Sequence, residues 1–151
     1  MALDVQGIVD AVASHVLASG LFEQVNGHEP KAAPGSGLTA AVWVQRLGSV
    51  PSSGLASSSA RLVLNVRAYS PLTQQPEDAI DPALTSAIDT LMAAYNGDFT
   101  LGGLARQVDV FGIHGIGLDA QAGYLEQDGA VFRVFTIVLP LIVNDLWEQV
   151  A

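Results

Sequence analysis

Between Val131 and Val143 the chain reads VFRVFTIVLPLIV, apolar on both of the alternating faces a strand would present. A strand apolar on one face can border water; one apolar on both must be covered from both sides. The segment is shorter than the ~20 residues a membrane helix needs. It also carries Arg133, Thr136 and Pro140. It is therefore expected as a central strand, or one buried on both sides, over about 130–143, and the rest of the chain must supply its neighbours and its cover.

Those neighbours are legible. Residues 61–69 alternate cleanly, with Leu62, Leu64, Val66 and Ala68 on one face. Residues 39–47 alternate as well, and further strands are expected over about 104–111 and 118–126. Asp128-Gly129 marks a two-residue hairpin before the central strand. The cover comes from two helices. Over 4–18, Val5, Ile8, Val9, Val12 and Val16 form one stripe of a 3.6-residue period. Asp4 is placed to cap it, and Gly20 to end it in a left-handed conformation. Over about 77–95, Ile80, Leu84, Ile88, Leu91, Met92 and Tyr95 form the second stripe. Pro82 suits its first turn, and Asp78 or Asp81 suits its cap. Asn26 to Gly37 is rich in breakers and reads as a loop; Gly48 to Ser59, rich in Ser and Gly, reads as a hairpin tip.

The expected fold is α+β in the order α-β-β-α-β-β-β, an antiparallel sheet with two helices packed on one face. The 151 residues form one domain, 1–151. Half of them are hydrophobic and only 14% are charged, against about 25% in typical domains. So apolar a chain of this size is expected to bury surface against other subunits.

Charge narrows the partners. The formal net charge is −9. Residues 1–70 balance four acids with four bases; the remainder sets eleven acids against Arg106 and Arg133, so the whole excess lies there. A protein that grips phosphates needs clustered Lys and Arg, so specific or tight DNA binding is not expected. There is no cysteine, which excludes disulfides, thiolate nucleophiles and Cys-based zinc sites. With no basic-then-apolar start and no spanning segment, the chain reads as soluble, made in the cytoplasm and without a membrane role.

No catalytic constellation stands out. His15, His28 and His114 lack metal-ligand spacing. His15 reads as a partly exposed residue of the first helix. Gly112-x-x-Gly115-x-Gly117 joins two strands instead of opening a helix, so it reads as a bend and not as a phosphate loop. Glu77, Asp78 and Asp81 sit where a helix start favours acids. No enzymatic activity, cofactor or metal is expected.

Several phrases, taken in order, resemble the tail terminator (tail completion) proteins of long-tailed bacteriophages, especially of actinobacterial phages. They are Ser19-Gly20-Leu21-Phe22-Glu23 with Val25-Asn26, then His28-Glu29-Pro30-Lys31-Ala32-Ala33-Pro34-Gly35, and Ile80-Asp81-Pro82. Gly97-Asp98-Phe99-Thr100-Leu101-Gly102-Gly103, Ala122-Gly123-Tyr124-Leu125, Phe132-Arg133-Val134 and Val143-Asn144-Asp145-Leu146-Trp147 follow. Their order and spacing carry the resemblance across nearly the whole chain.

The resemblance implies a non-enzymatic virion protein of α+β fold. It implies a homo-hexameric ring that caps the tail tube, stops its growth and joins it to the head-closure connector. The implied partners are other copies of the chain, the tail tube protein and the connector, with DNA passing through unbound. The implied place is the virion neck, with the host cytoplasm during assembly. The alternatives are another neck or tail ring, whether head-closure, adaptor or tube protein, and more remotely a small enzyme. For a ring, the acid excess places Asp98, Asp119, Glu126 and Asp128 as candidates to line the channel. Pro51, Ser52, Ser53, Gly54 and Leu55 of the Ser-rich tip are the candidate loop for contact with a neighbour or the tube.

Overall fold

A computed structural model describes residues 3–22, 24–27, 38–50, 57–71, 80–98, 100, 101, 103, 105, 107–113, 115–127 and 129–148. Helix α1 spans Val5–Ala18. Its start is set by Asp4, whose carboxylate accepts the Gly7 N–H at 3.0 Å, satisfying one of the donors a helix start leaves open. It is followed by Gly20 at φ 70°, a left-handed turn that glycine makes without steric cost. Strand β1, Gln24–Asn26, is followed by β2, Thr39–Val50, and β3, Ser57–Pro71. Helix α2 spans Ile80–Gly97, and β4 (Gln107–Val108), β5 (Asp119–Gln127) and β6 (Ala130–Glu148) complete the order.

The six strands form one sheet. β1, β2, β3 and β6 lie side by side, and β5 and β4 both pair with the outer side of β6. β6 is thus central, as its doubly apolar sequence requires. The stripes of α1 and α2 share one core with the inner faces of three strands. Ile8, Val12, Val16, Leu84, Ile88 and Leu91 join Val42, Leu62, Leu64, Val66, Ile137 and Leu139 there. The far face carries a smaller cluster of Ala41, Tyr69, Phe132 and Val134, with Trp43 and Leu125 packed against it.

The two helices are also pinned to each other. Tyr95 is buried and donates its hydroxyl to the Val12 carbonyl at 3.1 Å. Burial pushes its phenol pKa up, so it stays neutral. His15 stands edge-on to Tyr95 and meets Asp98 Oδ2 through Nε2 at 2.9 Å.

The structure corrects the expectations from sequence at five points. β1 was not expected, and it runs parallel to β2, so the sheet is not wholly antiparallel. Among the described residues, the strand expected over 104–111 pairs only at Gln107 and Val108, and the chain turns from Val110 onward. Strand pairing enters the Ser-rich segment from both sides, with Ser49 opposite Ala60 and Val50 opposite Ser59. Ser59 and Ala60 are fully buried, so tertiary cover overrides the low strand preference of serine and alanine. β6 runs five residues past the expected 143, and its end pairs with the start of β3. Asp81 does not cap α2; it lies inside the first turn, and its carboxylate accepts from Arg133 Nε at 2.9 Å.

Glu77 and Asp78 lie outside the described residues. The expected 128–129 hairpin is consistent with Gln127 facing Ala130 and Gly129 at φ 78°. Among the described residues, no helix is long and apolar enough to cross a membrane.

Candidate assembly surfaces

Large apolar side chains are exposed at scattered places, Leu17, Leu21, Val44 and Leu47 among them. At one place they are gathered. In the loop between β4 and β5, Phe111, Ile113 and Ile116 are 92%, 72% and 68% exposed. Isolated exposed apolar residues need no explanation, but three within six residues do.

This loop is built to hold them out. At its root is Asp109, whose side chain is wholly buried, with Oδ2 3.5 Å from Nε of Arg61 on β3. The other carboxylate oxygen, Oδ1, accepts the Ile113 N–H at 2.8 Å. Arg61 Nη2 donates to the Ile116 carbonyl. The Asp109 N–H donates to the Pro140 carbonyl at 2.9 Å, and Leu118 returns to Val110 at 3.1 Å. Glycine is required along this run. Gly112 has φ 72°, and a Cβ there would strike the Gly115 carbonyl. A Cβ on Gly115 would come within 2.9 Å of the Arg61 guanidinium carbon. Gly117 is required as well, because a Cβ there would come within 2.5 Å of the Val110 carbonyl oxygen. The Gly-x-x-Gly-x-Gly run is thus a backbone knot tied around an arginine, and Phe111 before it and Ile113 and Ile116 within it face water.

Apart from this knob of exposed apolar residues, the far face of the sheet holds a groove of about 480 Å³. Leu125, Val134 and Val138 give it an apolar floor, and Gln45, Asn65 and Gln121 line its sides. Arg67 crosses it, stacked 5.1 Å from the Trp43 ring centroid, with Nε donating to Thr136 Oγ1 at 2.8 Å. Among the described residues, no carboxylate lines this groove. The sheet also has two open sides. Among the described residues, β2 beyond Ala41 pairs only with β3, and β5 pairs only with β6.

The four acids singled out from sequence are not brought together. Asp98 ends α2 and is engaged by His15. Asp119 opens β5 opposite Val138, on the far face beside the groove. Glu126 is exposed near the β5–β6 turn, opposite Val131, and points to the other side of the sheet. Asp128 lies outside the described residues, as do His28, His114 and the whole run Pro51, Ser52, Ser53, Gly54 and Leu55. Among the described residues, no group of three His, Asp or Glu is placed to hold a metal. Sequence reasoning missed the knob. Its signal was present: apolar residues alternating with glycines, where turn chemistry favours polar ones.

No family model matches this chain, and no curated protein matches it. Among solved structures, it is similar to a chain in the virion of a native gene transfer agent particle. The identity is 12%, over 93% of this chain and 98% of that one, with a TM-score of 0.42.

Proposed function

We propose that the chain is a structural virion protein, a tail terminator that closes into a ring on the end of a phage tail tube and offers the joining surface to the head. The observation that carries this reading is the braced apolar knob. A buried ion pair and three obligatory glycines hold three apolar residues in water, which is intelligible if those residues meet protein. The knob, the far-face groove and the two open strand edges are different surfaces of one protomer. Repeated heterologous contacts between different surfaces generate rings when the rotation closes. The sequence phrases resembling tail terminators supply the specific role and the count of six.

The acid excess fits a channel through which DNA slides without being held. Glu126, with Asp128 two residues further along the chain, is the proposed channel element. Asp98 is occupied by His15, and Asp119 belongs to the side that carries the groove.

Electron microscopy of tail tube protein polymerised with and without this chain tests the role. Tubes should stop at a defined length, or stay short, when it is present. Tubes of unlimited length in both samples would remove the terminator reading. Long tubes formed by this chain alone would make it a tube protein.

A further inference from the structure

The knob and the groove are separate surfaces of one protomer. We propose that Phe111, Ile113 and Ile116 of one copy seat in the far-face groove of a second copy of this chain. For the number of copies joined, the inference rests on the ring reading; for the contact itself, it does not.

Charge argues for a second copy. Each copy carries a net charge of −9, so two copies repel unless they meet where acids are absent. Residues 110–118 read VFGIHGIGL, without one formally charged side chain. Among the described residues that line the groove there is no carboxylate and one cation, Arg67, which stacks on Trp43. The knob is thus uncharged and the groove carries a single cation, both set on an acidic molecule, with Asp119 at the groove's border.

Shape and area agree. Phe111 and two isoleucines at these exposures present an apolar area on the order of a few hundred Å². That is a substantial part of the roughly 800 Å² that one partner contributes to a standard interface. The groove, at about 480 Å³, falls in the range of pockets that enclose small ligands, ample for a phenyl ring and a branched butyl group. Its apolar floor would cover them, and its amides would satisfy the loop's backbone. The knob is preorganised by Arg61 and Asp109, so little ordering entropy is lost on docking.

The chain has no cysteine, so introduced thiols report the contact without background. Ile113→Cys places one on the knob and Gln121→Cys one on the groove. The double variant is oxidised both free, across a range of concentrations, and on isolated tails that carry it. Disulfide-linked multimers should form from the double variant, and only linked pairs from an equal mixture of the two single variants. Adding Phe111→Glu to the double variant should weaken association by about tenfold or more, as removal of a central anchor does. Its thermal midpoint should hold, because Phe111 is almost wholly exposed. No linked species on tails or in concentrated solution would overturn the contact, and so would Ile113→Cys alone linking as strongly as the double variant. Linkage that stops at two copies would keep the contact and end the ring reading. A ring on the tail without linkage would do the reverse.

Discussion

Replacing Asp109 with alanine is expected to cost about 3–5 kcal/mol of stability, the range for removing one partner of a buried ion pair. The carboxylate is wholly buried and the Arg61 side chain is only 11% exposed, so the guanidinium would be left desolvated and unbalanced. The Ile113 N–H would also lose its acceptor. Both groups belong to the knob's root, so the loop should loosen along with the loss of global stability. Urea denaturation of wild type and variant measures the first effect; amide hydrogen exchange at Ile113 and Leu118 measures the second. A loss below about 1 kcal/mol, the scale of an exposed ion pair, with exchange unchanged, would show that the pair does not brace the loop.

Leu91→Ala is expected to cost about 2–5 kcal/mol, as truncation of buried leucines does. Leu91 is fully buried in the core where α2 meets the sheet. The cavity would open between layers that two helices and three strands hold in place, which limits collapse around it. At this chain length, each kcal/mol lowers the melting midpoint by roughly 2–4 °C, so differential scanning calorimetry resolves the effect. A shift of less than about 2 °C would mean that α2 presents another face to the sheet.

These two residues stand on opposite sides of what sequence reasoning reaches. Leu91 was legible because it belongs to a stripe that repeats every three to four residues, a local signal of a distant partner. The same holds for Val12, Leu64 and Ile137, whose periodicities differ but whose burial follows from them. Asp109 was not legible as half of a buried pair, since its partner lies 48 positions earlier and no spacing rule joins them. His15 and Asp98, which are 83 residues apart, escaped for the same reason. β1 is three residues long and is strand only because β2 lies beside it. The far-face groove exists only once four strands are in register. Sequence reasoning saw the glycines of the knob and read their backbone role; what it passed over was the exposure of the residues between them.

The central claim is that this chain forms a ring at the head end of a tail tube. A cryo-electron microscopy reconstruction of that end of the tail, from particles assembled with this chain, tests it most directly. The account predicts one ring of six copies closing the tube, with Glu126 turned toward the channel and Phe111 covered by the neighbouring copy. A single copy at the tube end, a stack of this chain along the whole tube, or its absence from the neck would contradict it.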